Sequence, residues 1–269
     1  MRLLSGLALM AFSLAALAAP KAELWERWNA SAPNKVGIVH KEWDSFLGHY
    51  LKPGSDGITR VAYGAVTPAD RKSLDAYLRR LQDVPIRKFA RAEQRAYWIN
   101  LYNATTVKVI LDHYPVESIT RINISPGLFA KGPWKKKLLT VEGEGVSLDD
   151  IEHRILRPIW KDPRTHYSVN CASLGCPNLP PRAFTAGNTE ELLDEGARAY
   201  VNHPRGARVE GGKLTVSSIY VWFQSDFGGN AAGVIAHLKK YAEPGLKKRL
   251  AAVDRIDGDA YDWTLNDAK

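Results

Sequence analysis

The side chains with most chemistry to offer are two cysteines, Cys171 and Cys176, with four residues between them, in the stretch Thr165 to Pro181. A short alternating run, His166 to Asn170, leads into the first thiol. A loop of small residues, Ala172-Ser-Leu-Gly175, follows, and prolines stiffen the exit. The run reads as strand, thiol and tight turn. That is the layout of a reactive group at the end of a sheet, and equally of an ordinary loop closed by a disulfide. A cysteine becomes nucleophilic when an imidazole, a cation or a helix N-terminus lowers its pKa. His166 lies an odd number of positions before Cys171. In an extended run the two side chains would take opposite faces, ~17 Å apart along the strand. The expected base is therefore His153, with Glu152, Asn100, Asn103 and Asp226 as orienting groups and Arg157 and His166 in support. Backbone N–H groups of the Ala172-Ser173 turn could serve an oxyanion. The chemistry would be hydrolysis or transfer at an amide or thioester bond.

Two other readings of the same residues stand beside this one. Cys171 and Cys176 could form a structural or redox disulfide, although their spacing is not the Cys-x-x-Cys of thioredoxin-like proteins. The chain could also be a non-catalytic binding module, with Tyr220, Trp222, Phe223, Phe227 and Trp134 lining a groove. His153, His166 and the cysteines match no zinc signature, so no metal is expected. Neither a phosphate-cradling glycine loop, a nucleophile elbow nor a dinucleotide fingerprint is present, so no cofactor is expected.

Several elements must position these groups. His40 to Leu51 carries Trp43, Phe46, Leu47 and Tyr50 at helical spacing. Thr67-Pro68 is an N-cap followed by proline at the first helical position. Ala90 to His113 is the strongest helix signal; Tyr97 to Leu111 is apolar nearly all round, which implies burial on most sides. Asn100 and Asn103 share a face of it and need buried hydrogen-bond partners, either a neighbouring loop or a pocket. Lys137 to Val146 reads as a hairpin. Ser147 to Asp150 is a capping box opening a helix from Leu148 to Trp160, on which His153 and Arg157 share a face. Thr189 opens another helix, Ala207 to Val216 is a hairpin, Ser217-Ser218 caps the aromatic segment to Phe227, and a last helix spans Ala231 to Tyr241 before a polar tail. Helices and short hairpins in mixed order, without βαβ alternation, define a mostly helical α+β domain, compatible with a papain- or transglutaminase-like layout.

The segments Tyr97 to Ala104, Leu148 to Arg157, Pro163 to Pro177 and Val216 to Phe227, in this order, resemble the domain of unknown function 547 family. The likeness covers about 89–227. It implies a family known from exported bacterial proteins and from plant and animal homologues, without an agreed activity. It implies that Asn100, Tyr102, Asn103, Glu152, His153, Arg157, His166, Cys171 and Asp226 make the motif, and that Cys176 is the less constant cysteine.

The first residues fit a secretory signal peptide, 1–18: a basic start, an apolar run from Leu3 to Leu17 and an Ala-x-Ala site. A single domain, 19–269, periplasmic or secreted and not membrane-spanning, is the expectation, and an oxidising compartment permits a disulfide. The net charge of +8 fits a solvated basic surface or contact with anionic envelope components. Without a nucleic-acid motif it does not point to nucleic acid. The expected ligand is a small molecule or peptide of unknown identity.

Overall fold

The apolar run from Tyr97 to Leu111 becomes the middle of the longest helix, α3 (Arg91–His113), whose residues from Glu93 to Val107 are all buried. The computed structural model describes residues 20–34, 36–127 and 130–269. The expected signal peptide at 1–18 lies outside them. Among the described residues, two α-helices precede α3. In α1 (Lys41–Tyr50), Trp43, Phe46, Leu47 and Tyr50 are buried as their spacing requires. In α2 (Pro68–Gln82), the Thr67 side chain caps the Asp70 N–H. Between them lies a small hairpin of β1 (Leu51–Pro53) and β2 (Thr59–Val61).

After α3 comes the hairpin of β3 (Leu139–Val141) and β4 (Glu144–Val146), where Glu142 and Gly143 take positive φ. The capping box forms as its residues predict: Ser147 Oγ accepts from the Asp150 N–H, and Asp150 Oδ2 accepts from the Ser147 N–H. The helix that it opens is not an α-helix throughout. Asp150–Leu156 is a π-helix, and only Arg157–Trp160 returns to α geometry, as α4. The wide turn has a chemical cause. The Arg157 N–H bonds to the Glu152 carbonyl, one residue further back than in an α-helix. Pro158 has no N–H to give, so the carbonyls of His153 and Arg154 need donors from elsewhere. The Glu23 and Trp25 N–H groups supply them, each at 3.0 Å.

The expected strand at His166–Asn170 is not a strand. Pro163–Tyr167 is a 3₁₀ turn, with Pro163 at its start and the Asp162 side chain accepting from the Arg164 N–H. Proline and an Asp cap outweigh a short alternation of apolar residues. Downstream lie α5 (Thr189–Asn202), the hairpin of β5 (Ala207–Glu210) and β6 (Lys213–Ser217), α6 (Ser218–Trp222), a 3₁₀ turn at Gln224–Phe227 and α7 (Ala231–Tyr241). The polar tail is structured as well. It forms α8 (Pro244–Leu250) and then β7 (Gly258–Ala260), which pairs parallel to β6 to complete a three-stranded sheet.

The architecture is a mostly helical α+β fold with three small separate sheets among the described residues. This topology does not itself show a papain- or transglutaminase-like layout. One hydrophobic cluster surrounds α3; a second joins α5 to α8 with β5 and β6. The cysteines and motif histidines lie where the two meet. Among the described residues, no helix is long and apolar enough to cross a membrane.

Candidate functional site

Glu152, His153 and Arg157 project from the π-helix and α4 toward His166 on the 3₁₀ turn and Asp226 on the turn after α6. Arg157 makes a forked ion pair with Asp226, Nε to Oδ2 at 2.6 Å and Nη2 to Oδ1 at 3.2 Å. His166 Nε2 donates to the same Asp226 Oδ2 at 2.8 Å, while its Nδ1 lies 3.7 Å from Glu152 Oε1. Arg157 Nη1 donates to the Pro20 carbonyl at 2.7 Å and to His153 Nδ1 at 3.1 Å. An arginine can only donate, so His153 Nδ1 accepts and the ring proton sits on Nε2. The Phe223 ring floors the group: His166 stacks on it at 4.4 Å and the Arg157 guanidinium lies 4.6 Å from its centre.

The charges nearly cancel, as burial demands. Burial pulls the His166 imidazole down, but Asp226 and Glu152 outweigh it and hold the pKa above its ordinary value. Burial lowers His153 to about 4, with the Arg157 charge adding to the effect, so this ring is neutral at pH 7. Burial favours neutral Glu152 and Asp226, but the neighbouring histidines and Arg157 keep both well below the usual carboxylate range. Asp149 moves the other way. Burial and the Glu152 charge raise it to about 6, and it lies 3.8 Å from His153 Nε2.

The cysteine loop is held beside this cluster. Asn103 clamps its base, donating to the Ser168 carbonyl at 2.8 Å and accepting from the Asn170 N–H at 2.9 Å. Asn170 in turn donates to the Pro177 carbonyl and accepts from the Ala172 N–H. Asn100 clamps the N–H and carbonyl of Phe184 in the same two-point way. Both asparagines thus hold loops. Ala172 is fully buried with φ +58°; a non-glycine residue there costs about 1–2 kcal/mol. The strain sits next to Cys171.

Cys171 and Cys176 are joined as a disulfide, with Cα atoms 6.2 Å apart. Cys171 is partly exposed and Cys176 is buried. Tyr261, from the segment after β7, places its hydroxyl 3.1 Å from each sulfur and 3.0 Å from Ser173 Oγ. Backbone bonds hold this C-terminal strap on the loop: the Leu174 N–H to the Thr264 carbonyl and the Gly175 N–H to the Asp262 carbonyl, both 2.8 Å. A Cβ on Gly175 would meet Asp262 backbone atoms at 2.9 Å, so only glycine permits this approach. Among the described residues, neither His153 nor His166 makes a hydrogen bond to a sulfur.

The structure therefore brings Glu152, His153, Arg157, His166 and Asp226 together and sets Asn100 and Asn103 under the neighbouring loops. Tyr261, Asp149, Ser173 and Phe223 complete the site. Ser147-Leu-Asp-Asp150 offered Asp149 as an acidic neighbour on the same helix; nothing local marked Tyr261. The proposed aromatic groove divides. Tyr220 and Phe227 are core, whereas Trp222 and Trp134 remain partly exposed and pack on Trp263. Of the three lysines that follow Trp134, Lys137 pairs with Asp150. A cleft of about 480 Å³ lined by Lys161, Arg164, Arg198, His237 and Tyr241 contains none of the cysteine-loop residues.

Fold and site together define a mostly helical α+β protein with a strapped cysteine loop beside a buried, self-neutralising ionic cluster. Residues 86–201 match the family model described as "Protein of unknown function, DUF547", and the chain resembles that family over α3, the π-helix, the cysteine loop and most of α5. The match ends before Phe223, Asp226 and Tyr261. No curated protein and no solved structure matches the chain.

Proposed function

We propose that the protein is a thiol-dependent enzyme, a hydrolase or transferase acting on an amide or thioester bond of a small molecule or peptide. Cys171 is its nucleophile, and the disulfide with Cys176 is its resting, oxidised form. The observation that carries this reading is the setting of Cys171: a partly exposed residue on a loop pinned by Asn103, Asn170 and the C-terminal strap, with the Tyr261 hydroxyl 3.1 Å from its sulfur. The attacking species is the thiolate, and donors aimed at sulfur favour it. His153 is the base in this reading: it is neutral at pH 7, but burial and Arg157 make it a weak base as it stands, so the role requires Arg157 to turn away. Its Nδ1 lone pair receives Arg157 Nη1, so it takes a proton there once Arg157 turns wholly to Asp226. An exported setting rests on the 1–18 leader and is compatible with the disulfide; the basic surface would then face anionic envelope components.

A second reading, a non-catalytic binding module stapled by the disulfide, is favoured by one observation: no imidazole bonds to either sulfur among the described residues. Alkylation of the reduced protein by iodoacetamide at neutral pH separates the two. The enzyme reading expects Cys171 to react about tenfold faster than in the unfolded chain, with most of that excess lost in His153→Ala. Equal rates for folded, unfolded and variant protein would leave the module.

A further inference from the structure

The two sulfurs of the disulfide have different surroundings. Cys171 is partly exposed; Cys176 is 3% exposed. Both sulfurs share the Tyr261 hydroxyl, but the second partner differs: Cys171 Sγ has Ser173 Oγ at 3.4 Å, whereas the buried sulfur has a fixed backbone donor. The Cys171 backbone N–H points at Cys176 Sγ over 2.9 Å, and the Tyr261 hydroxyl stands 3.1 Å from it. Ser173 Oγ donates to the Tyr261 oxygen at 3.0 Å. A phenol has one proton, and this contact leaves that proton free for a sulfur. Burial pushes the Tyr261 phenol upward, so it stays a donor. A disulfide sulfur is a weak acceptor and gains little from two such donors. A thiolate gains much more.

We infer that Cys171–Cys176 is a thiol–disulfide exchange couple in which Cys171 takes the attack, Cys176 leaves, and Tyr261 is the positioning residue for the departing thiolate. The co-reactant is a thiol, free or protein-borne. Its thiolate attacks Cys171 Sγ, and a new sulfur–sulfur bond forms there. The Cys171–Cys176 bond breaks, and its electron pair goes to Cys176 Sγ, where the Cys171 N–H and Tyr261 O–H receive the charge. A second thiolate then attacks the co-reactant sulfur of the mixed disulfide and releases Cys171 as thiolate. Two co-reactant thiols are oxidised to one disulfide, and the protein pair is reduced by two electrons. A leaving thiol of low pKa departs faster, which gives the donors on the buried sulfur a role that a plain staple does not need. The couple would gate the nucleophile proposed above, and in that respect it rests on that reading. The exchange itself does not.

The oxidised full-length chain, incubated with reduced glutathione, tests the exchange. Peptide mapping after acid quench should find the mixed disulfide on Cys171. Thiolate absorbance of Cys171→Ser, which isolates Cys176, should titrate below the ordinary cysteine value of about 8.5. In Tyr261→Phe, which keeps the ring, reduction should slow about tenfold, and the same substitution in Cys171→Ser should raise the Cys176 pKa. A purely structural tyrosine would leave that pKa unmoved. Glutathione found on Cys176, a Cys176 pKa at or above 8.5, or an unchanged rate in Tyr261→Phe would each overturn the inference. None of these readouts involves substrate turnover, so failure of the enzyme reading would leave them intact. The mapping uses the wild-type chain and does not depend on a variant folding.

Discussion

Asp226→Asn is the sharpest probe of the buried cluster. The carboxylate accepts from Arg157 at two atoms and from His166 at one. Both donors have side chains only 2% exposed, and Asp226 is 20% exposed. Asparagine keeps the shape but removes the charge, and its NH₂ would face groups that can only donate. Removing one partner of a buried pair costs about 3–5 kcal/mol. Arg157 keeps the Pro20 carbonyl and His153, and Asp226 is partly hydrated, so the low end applies, about 3 kcal/mol. Against a total stability of about 5–15 kcal/mol this is a large share. Urea unfolding at pH 7 measures it. NMR of the His166 ring gives the second readout, because loss of the Asp226 charge should bring its raised pKa down. A cost below about 1 kcal/mol, within the ordinary range for point substitutions, with the His166 titration unmoved, would refute the account of a charge-balanced cluster.

Other outcomes are expected. Burial lowers His40, His153 and His237 to about 4, so near pH 5 the unfolded chain binds more protons at these rings than the folded chain does. Asp149, raised to about 6, offsets one of them. The net of about two protons should make stability fall by about 3 kcal/mol per pH unit on acidification through pH 5, read from urea midpoints; a flat profile would contradict these shifts. Reducing the disulfide, which closes a loop of sequence separation 5, should cost about 2 kcal/mol by chain entropy, measured by unfolding with and without reductant. Ala172→Gly should raise the melting temperature, relieving about 1 kcal/mol of strain at φ +58°.

Local signals in the sequence carried much of this fold. The helical pattern from Ala90 to His113 matches α3 to within one residue, because burial on most sides leaves little choice of face. The Ser147–Asp150 box and the Thr67 cap needed only their own neighbours. The site depended on less local causes. The π-helix arises because Pro158 withholds a donor and the segment around Glu23 and Trp25, more than a hundred positions earlier, supplies two. Strand parity makes His166 a supporting group and not the base, yet the Asp162 cap and Pro163 turn that stretch into a 3₁₀ helix and bring the ring onto Asp226 beside His153. Tyr261 reaches the sulfurs only because β7 pairs with β6, and three residues, Gly-Asp-Ala, carry no strand pattern.

That late strand sets an order of assembly. A chain made from its N-terminus has both cysteines, the π-helix segment and the ionic cluster in hand before Tyr261 exists. Sulfurs that meet an oxidant early do so without the hydroxyl that later stands over them. The loop can therefore be oxidised on a partly made protein, whereas its hydrogen-bonded environment is completed only when β7 docks. Synthesis itself thus separates the moment the bond can form from the moment its surroundings can tune it.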